Sequence, residues 1–403
     1  MLVRKRSVFA SILLALGMSL LALPANAASP TIKVSGSTQY SPIESRTVTI
    51  SGKLSNKAKN RAVYLHRRAA GVGNFKSIAK SKTGKNGAYN FKVTVLGNAK
   101  ISYDYRVWGA ARKGKFGAQY VPNATPGKRV TFTNPWKVAF NDVFNSRANW
   151  GIRYPGQRSR KSLRACSQSN ARMAYTRSGK LELSARPSGT TTSECTRVMK
   201  AAYKTTYGSK NYGKYIKKEK KYNKIMLTGH VSTASVGGNG YTVDLTKPGI
   251  AAARIQFAKP RGQHGGFWLR PVNAGVKHEI DVVEYMGYGG KERGLYQFLY
   301  TAAGKKIGRL GTNNILKSLG KKTKWYSGYR TYVVEWSGKG SDGKVTYTWR
   351  IDGRQTYKYR TAASSTRHEL ILSQLASDYE LPRLPRSSKA GTMKVDWVKT
   401  WTK

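Results

Sequence analysis

The chain has few acidic residues for its size. Among its 403 residues, Asp and Glu number 18 while Lys and Arg number 73, which gives a formal net charge of +55. A field of this sign attracts polyanions, but no recognised nucleic-acid motif accompanies it, so nucleic acid is not the expected partner. Acidic polysaccharides, wall teichoic acids and mineral or plant surfaces are the alternatives. Solubility in a particular habitat accounts for the charge equally well.

Long apolar runs are also scarce, and the one that stands out lies at the N-terminus, from Val8 to about Leu23. Three basic residues at positions 4–6 precede it and Ala25-Asn26-Ala27 follows it, as in a signal peptide. We therefore expect residues 1–27 to be removed. The protein would be secreted and extracellular, held at the cell wall by its charge, and without a membrane span once mature. A membrane anchor is the alternative, although the run is shorter than the ~20 residues that cross a bilayer.

Cysteine is limited to Cys166 and Cys195. An isolated pair in an exported chain predicts a disulfide, which would stabilise the fold by roughly 3 kcal/mol in the loop-entropy model. A metal site or a catalytic thiol would need partners close by, and none of the five His residues is near either cysteine in sequence.

A helical pattern of several turns is missing after about Val130, and period-two alternation with regular turn residues dominates the chain. We expect an all-β protein in four parts. Residues 1–27 are the signal peptide, 28–121 a small β-sandwich, 122–130 a linker rich in Pro and Gly, and 131–403 a large sandwich or jelly roll of the concanavalin A-like kind. The small sandwich resembles bacterial immunoglobulin-like modules in three segments, 50–54, 62–65 and 86–91.

Two basic regions have open roles. The small sandwich contains only Glu44 and Asp104 as acids, so it could attach to an anionic surface or act as a spacer with a solvated basic face. The segment from Ser209 to Lys224 contains seven lysines and one glutamate. It is either a solvated loop or the lining of a cleft that accepts an acidic polymer.

Three of the 18 acids fall within six residues, at Glu279, Asp281 and Glu284. The intervening residues are β-prone. On a regular strand Glu279 and Asp281 would share a face and Glu284 would point away. A one-residue bulge at Val282-Val283 would turn all three carboxylates to the same side.

Carboxylates on one face suit glycosidic cleavage, because a retaining enzyme needs two of them about 5 Å apart. One attacks the anomeric carbon and the other protonates the leaving oxygen. Crowding disfavours ionisation of all three, so one should hold a proton near neutral pH and serve as the acid. A polar outer strand face and a calcium site are the alternatives for this cluster.

The hexapeptide from Glu279 to Glu284 resembles the signature of family 16 glycoside hydrolases, the laminarinase- and lichenase-like β-glucanases. Further segments resemble the family's strands in the family's order across about 265 residues. They are Phe140–Phe144 with Trp150, Leu227–Thr233, Ala253–Gln256, Gly266–Leu269, Tyr332–Trp336, Trp349–Gly353 and Met393–Val398. The resemblance implies a secreted β-jelly-roll enzyme that cuts internal β-linkages of polysaccharides.

The resemblance also implies roles for residues. Glu279 would be the nucleophile, Glu284 the acid and then the base, and Asp281 a residue that tunes the pair. The expected substrate contacts are Trp268, Arg254, Tyr241, His264 and Gln297. A flat indole face stacks well on a pyranose ring. Trp268 could instead be a core residue, as expected for Trp336, Trp349 and Trp397, and His264 could have a loop or core role.

Two further expectations concern specificity and metal. The family commonly has Glu where this chain has Ala252, which removes one sugar hydrogen bond and leaves the linkage open. No cofactor is expected to be required. Relatives often bind a structural calcium ion through an Asp of the closing strand, and Asp396 matches that position.

The expected function is therefore endo-acting, retaining hydrolysis of internal β-1,3 or mixed β-1,3/1,4 linkages by a monomer. A hydrolase or transglycosylase for an anionic, sulfated or acidic polysaccharide is one alternative. A wall-binding protein without catalytic activity is the other.

Overall fold

The computed structural model of the protein describes two compact units, residues 1–134 and 135–403. The described residues are 31–35, 42, 46–54, 59–95, 101–110, 112–113, 119–120, 123–125, 127–133, 135–154, 166–214, 224–259, 263–273, 275–287, 294–310, 315, 326–376 and 390–403. The expected signal peptide, Glu44 and most of the lysine-rich segment lie outside them. Among the described residues, no helix has the length and apolarity needed to cross a membrane.

The first unit is built from short antiparallel strands. One sheet has the order β1-β2-β5, a second the order β10-β6-β3-β4 with β9 also paired to β6, and β7 pairs with β8. The strands are β1 (Lys33–Ser35), β2 (Arg46–Lys53), β3 (Ala62–Ala69), β4 (Val72–Lys82), β5 (Ala88–Val95), β6 (Ile101–Gly109), β7 (Arg112–Lys113), β8 (Gln119–Tyr120), β9 (Asn123–Ala124) and β10 (Lys128–Phe132), with a 3-10 turn at Lys85–Gly87.

Alternation along these strands produces the core of the first unit. In β3, Val63 and Leu65 are fully buried while Tyr64 is partly exposed, as expected for a strand with one face on a core. Val48 and Phe91 from the other sheet join the same hydrophobic cluster. The small β-sandwich is therefore confirmed as an architecture, and its kinship to immunoglobulin-like modules stays a prediction.

The linker expected at 122–130 is corrected by the structure. β9 and β10 both pair with β6, so most of this segment belongs to the first unit. The Arg129 guanidinium donates to the Asp104 carboxylate at 2.9 Å and holds the pKa of Asp104 below its usual range. The boundary falls instead between Asn134 and Pro135. The Pro and Gly residues at 122–127 predicted a break in regular structure. The sequence alone does not show that Arg129 has a partner as distant as Asp104.

The second unit contains the longer strands. They are β11 (Lys137–Asp142), β12 (Gly151–Ile152), β13 (Ser167–Ser169), β14 (Ala174–Thr176), β15 (Leu181–Thr191), β16 (Lys224–Ser232), β17 (Thr242–Asp244), β18 (Pro248–Gln256), β19 (Gln263–Pro271), β20 (Glu279–Tyr285), β21 (Leu295–Tyr300), β22 (Lys306–Leu310), β23 (Arg330–Ser337), β24 (Lys344–Ile351), β25 (Arg354–Ala362), β26 (Arg367–Ala376) and β27 (Gly391–Thr402), with helix α1 (Ser193–Tyr207) and a 3-10 turn at Ala171–Met173.

These strands form two sheets. The β18 sheet has the order β25-β24-β23-β18-β27, with β11 and β15 both alongside β27. The β19 sheet has the order β22-β21-β20-β19-β26-β16, with β12 and β13 along the far edge of β16. β16 joins the sheets, because its first half pairs with β15 and its second half with β26.

A single hydrophobic cluster contains residues of both sheets. Trp336 and Trp349 of the β18 sheet are buried with Phe267 and Ile280 of the β19 sheet. Trp397, which was expected to be a packing residue as well, is only half-buried. The all-β class and the large two-sheet sandwich are confirmed.

One helix departs from the expected pattern. α1 has 15 residues and is capped by the Thr192 hydroxyl, which accepts from the Cys195 amide at 3.1 Å. Its buried positions include Cys195, Met199 and Tyr203, a helical spacing of four. The predicted disulfide between Cys166 and Cys195 is present and connects the start of β13 to the first turn of this helix.

Candidate active site

The bulge expected at Val282-Val283 is present in β20. On one side Phe267 pairs with Val283 and Trp268 with Asp281, so Val282 is the extra residue. The pairing with β21 shifts at the same place. Val282 and Val283 are both fully buried in the core, while the three acids of the strand line one cleft. The extra residue therefore turns Glu279, Asp281 and Glu284 to the same face, as the sequence predicted.

Two side chains hold the backbone of the bulge. The indole of Trp349 donates to the Asp281 carbonyl at 2.9 Å, and the amide of Gln297 donates to the Val282 carbonyl at 3.0 Å. Gln297 is fully buried and its own carbonyl oxygen accepts from the Thr356 hydroxyl. Carbonyls that a bulge removes from the ladder need such partners. Gln297, predicted as a sugar contact, is thus a support of the bulge and does not line the cleft.

Glu284 has a buried histidine beside it. The Nε2 atom of His264 lies 2.9 Å from Oε1 of Glu284, and the His264 side chain is 5% exposed. A neutral imidazole nitrogen accepts from a protonated carboxyl, and an N–H at the same nitrogen donates to a carboxylate. The contact can therefore persist whether Glu284 holds a proton or has lost it. The structure places His264 in the cleft with the carboxylates.

The cleft has a volume of about 550 Å³. Trp268, predicted as a cleft residue, lines it directly beside the bulge, as the strand partner of Asp281, and donates through Nε1 to the Ser373 hydroxyl at 3.1 Å. The cleft is lined by Arg153, Tyr154, Ser167, Ser169, Thr228, His230, His264, Trp268, Arg270, Glu279, Asp281, Glu284, Tyr300, Ser373 and Leu375. Most of these side chains come from β13, β16, β19, β20 and β26, so the β19 sheet forms its floor.

A buried ion pair lies across this floor. Arg153 donates through Nε and Nη2 to Oε1 of Glu369, at 3.3 and 3.2 Å, and both side chains are less than a tenth exposed. Burial lowers the pKa of Arg153, and Glu369 opposes that effect. The guanidinium also lies over the rings of Tyr154 and Trp268, at 4.2 and 5.2 Å. It remains a cation near neutral pH, because arginine starts from a pKa above 12.

Two predicted sugar contacts lie elsewhere in the fold. Arg254 is on β18, in the other sheet, where its guanidinium bonds to Asp396 and lies over the Tyr329 ring. Tyr241 stacks on Phe140 and its hydroxyl bonds to Thr400 at 2.6 Å. Neither is among the described residues that line the cleft. The resemblance located their strands but not the face that each side chain occupies.

The surroundings of Asp396 do not fit the calcium ion that the resemblance implied. Its carboxylate already accepts a hydrogen bond from the Arg254 guanidinium, and Lys394 and Lys399 lie on the same strand. Calcium prefers several oxygen ligands. Within the described residues, there is no group of three or more His, Cys, Asp or Glu that could hold a metal ion.

Several cleft residues had no role in the sequence interpretation. Arg153, Tyr154, Ser169, Thr228 and His230 line the cleft on β12, β13 and β16 or directly after them. Part of the signal was present, because Thr228 and His230 are two apart in a strand segment that the family resemblance had picked out. Period two puts such residues on one face, but only the fold shows that this face is the cleft.

Comparison with known proteins gives structural neighbours alone. No family model matches the chain, and no curated protein matches it. The chain is similar to the endo-β-1,3-glucanase from Pyrococcus furiosus (14% identity, 66% of this chain and 94% of that chain, TM-score 0.44). It is also similar to the laminarinase catalytic domain from Thermotoga maritima (13%, 66% and 98%, 0.45) and to a Bacillus licheniformis β-glucanase (18%, 66% and 97%, 0.44).

Proposed function

We propose that the second unit is an endo-acting, retaining glycoside hydrolase that cleaves internal β-1,3 or mixed β-1,3/1,4 linkages of a polysaccharide. The observation that carries the proposal is the bulge of β20, which brings Glu279, Asp281 and Glu284 to one face of an open cleft. Retaining hydrolysis needs two carboxyl groups side by side, one ionised and one protonated. A cleft that is open suits a long chain bound along its length.

Each carboxyl group has a defined task in this proposal. Glu284 donates its proton to the glycosidic oxygen as the bond to the anomeric carbon breaks, and the Glu279 carboxylate forms a bond to that carbon. Glu284, now ionised, then takes a proton from water, whose oxygen displaces Glu279 and restores both groups. Asp281 is 1% exposed and lies between them on the strand. It adds a third carboxyl group to the pair, and crowded carboxyl groups do not all ionise together.

Export is part of the same proposal. Residues 1–27 have the sequence features of a signal peptide, and the Cys166–Cys195 disulfide is of the kind found in exported proteins. The protein would act outside the cell, as a monomer, on a polysaccharide of its surroundings or of a cell wall.

A second candidate substrate class is favoured by two arginines of the cleft. Arg153 and Arg270 both line it, and Glu369 is the carboxylate that pairs with Arg153. Among the residues that the structure describes, no carboxylate lies within 4 Å of the Arg270 guanidinium. A sulfated or acidic polysaccharide would supply an anionic group to pair with Arg270. Activity on such a polymer should fall steeply with salt, whereas activity on laminarin should depend little on it.

The deciding experiment uses the mature chain on laminarin, lichenan and sulfated galactans. Reducing-end release measures cleavage, and NMR of the first-formed product should show the β-anomer. Glu279→Gln should lower kcat by at least ~10³-fold. The matched control is Glu335→Gln, which changes a partly buried glutamate on β23 of the other sheet. Binding without cleavage of any polymer would replace this proposal with a wall-binding function, and longer products would indicate transglycosylation.

Azide separates the two glutamate roles. With an activated aryl β-glycoside, Glu279→Ala should yield an α-glycosyl azide, because azide attacks in place of the missing nucleophile. Glu284→Ala should yield a β-glycosyl azide, because azide then attacks the covalent intermediate. The reverse pair of products would exchange the assigned roles.

A further inference from the structure

Two residues that line the cleft have buried side-chain hydroxyl groups. Ser169 is 6% exposed and Thr228 is 1% exposed, and both line the cleft. Neither hydroxyl oxygen has a hydrogen-bond partner among the described residues. Buried hydroxyls are costly to leave unbonded. An occupant of the cleft that donates and accepts hydrogen bonds would satisfy both.

The two residues lie side by side on neighbouring strands. β13 pairs with β16 in parallel, and Ser169 is the Cα partner of Thr228. The amide of the next residue, Asn170, donates to the Thr228 carbonyl at 3.0 Å, which fixes the end of β13 against β16. The two side chains therefore present one polar edge, and not two separate contacts.

An aromatic ring lies at the same end of the cleft. Tyr154 is 46% exposed, and its ring centroid is 6.2 Å from that of His230, which follows Thr228 by two residues on β16. Tyr154 has a φ of 51°, in the left-handed region that few non-glycine residues adopt. Backbone strain of this kind is concentrated at functional sites. The Arg153 guanidinium covers part of this ring, and the exposed remainder, beside the hydroxyl groups, suits a sugar that stacks on the ring and bonds through its edge.

This end of the cleft is remote from the carboxylates. β16 lies three strands from β20 in the β19 sheet, which is about 14 Å at ordinary strand spacing, and β13 lies one strand further. A sugar bound here is therefore not the one whose bond is cut. Only a substrate of several units could reach both places.

We infer that Tyr154, Ser169 and Thr228 form a distal sugar-binding subsite that recognises a neutral sugar unit of the polysaccharide, several units from the cleaved bond. This inference rests on the proposed glycoside hydrolase function. Binding energy at the distal subsite makes the enzyme prefer chains long enough to span the β19 sheet, which is the specificity of an endo-acting enzyme.

The disulfide ties the subsite to the rest of the unit. Cys166 immediately precedes β13, a strand of three residues at the edge of the sheet, and Cys195 lies in the first turn of α1. Ser167 and Ser169, on either side of Gln168, both line the cleft. The bond thus fixes one wall of the distal subsite and leaves the carboxylates on β20 untouched.

The test is a chain-length series of laminari-oligosaccharides from two to six units. For the wild type, kcat/KM should rise at the length that first reaches the distal subsite. The double variant Ser169→Ala/Thr228→Val should lower kcat/KM for chains beyond that length by roughly 10- to 100-fold, from about 3- to 10-fold per hydroxyl. It should leave shorter chains unchanged. Tyr154→Ala should act in the same direction.

The control is Ser184→Ala, which removes a buried hydroxyl that bonds to Thr392 on β27. Its effect should not depend on chain length. An equal loss at every length in the double variant, or no loss at any length, would overturn the inference. If the wild type cleaves no oligosaccharide, calorimetry should be used to measure binding of the hexamer to the wild type and to the double variant. Binding that the double variant loses would retain the subsite while the hydrolase proposal fails, and unchanged binding would reject the subsite.

Discussion

The side-chain amide of Gln297 donates a 3.0 Å hydrogen bond to the backbone carbonyl of Val282, the residue that β20 inserts at its bulge. Trp349 does the same for the Asp281 carbonyl from the opposite sheet. The orientation of the three carboxylates therefore depends on side chains that never reach the cleft. Residues that support a site in this way control its geometry as strictly as those that line it.

Replacing Gln297 by Leu should damage both stability and catalysis. The variant leaves the Val282 carbonyl and the Thr356 hydroxyl buried without partners, which costs about 1–3 kcal/mol for each group. The bulge would relax, and kcat should fall by roughly 10- to 100-fold through misplacement of the carboxylates. Chemical denaturation and kinetics on one soluble glucan measure the two effects.

Thr356→Val provides the comparison, because it removes the partner of Gln297 but keeps the bond from Gln297 to Val282. It should lose stability without a comparable loss of kcat. A Gln297→Leu protein that is folded and fully active would show that the bulge does not need this hydrogen bond.

His264 should be needed for the acid and base steps of Glu284. In His264→Leu the 2.9 Å contact with Glu284 is lost, and kcat should fall by about 10²-fold, the scale of a general acid–base contribution. His264→Gln keeps a donor and an acceptor near Glu284 and should retain much more activity. Kinetics of both variants across pH check this. Equal activity of Leu and Gln variants would assign His264 a packing role.

The buried pair His278 and His368 should make the fold sensitive to acid. The Nδ1–H of His368 donates to the Thr366 carbonyl, so its Nε2 accepts from Nδ1–H of His278 at 2.9 Å. Burial lowers the pKa of His278 to about 4, and burial together with the His278 ring lowers that of His368 to about 3. Both rings are neutral in the folded protein at neutral pH.

These lowered pKa values predict that acid destabilises the folded protein. Unfolded histidines take up protons below about pH 6.5, while the folded pair does so only near pH 4 and 3. The free energy of unfolding should therefore decrease as pH falls from about 6.5 towards 4, by up to about 1.4 kcal/mol per pH unit for each histidine. Urea unfolding of the wild type and of His278→Phe/His368→Leu would measure the slopes. Parallel slopes would contradict this account.

The sequence predicted the geometry of the carboxylate-bearing strand β20 better than that of its surroundings. Three acids in Glu279–Glu284 can share a face only if one residue is extra, and two adjacent valines supply a bulge with both side chains in the core. Local pattern was sufficient there. Helix α1 was not predicted, because the spacing of four between its buried residues Cys195, Met199 and Tyr203 is a weak helical pattern in so polar a segment.

Sugar contacts were harder to predict for a related reason. Strand order places Arg254 and Gln297, but the direction of a side chain depends on register and on bulges in neighbouring strands. Arg254 lies in the other sheet, paired with Asp396, and Gln297 points beneath the bulge. Ser169 and Thr228 are neighbours only because β13 pairs with β16 in parallel, which no local signal in the sequence indicates.

The Arg254–Asp396 pair should contribute little to activity. Arg254 is 45% and Asp396 24% exposed at the side chain, and exposed pairs of this kind stabilise by less than about 1 kcal/mol. Because Arg254 also does not line the cleft, Arg254→Ala should leave kcat and KM on laminarin within about twofold of the wild type. A large rise in KM, with the free energy of unfolding unchanged, would return Arg254 to the sugar contacts that the family resemblance implied.

Loss of the disulfide should lower the stability of the fold but leave catalysis on short oligosaccharides unchanged. Cys166→Ser/Cys195→Ser removes a cross-link that the loop-entropy model values at roughly 3 kcal/mol, so the denaturation midpoint should fall. Because the cross-link holds β13 and not β20, kcat on short oligosaccharides should stay near the wild-type value, while kcat/KM on long chains should fall as it does in the Ser169→Ala/Thr228→Val protein. A uniform loss across chain lengths would mean that β13 supports the whole cleft and not its distal end alone.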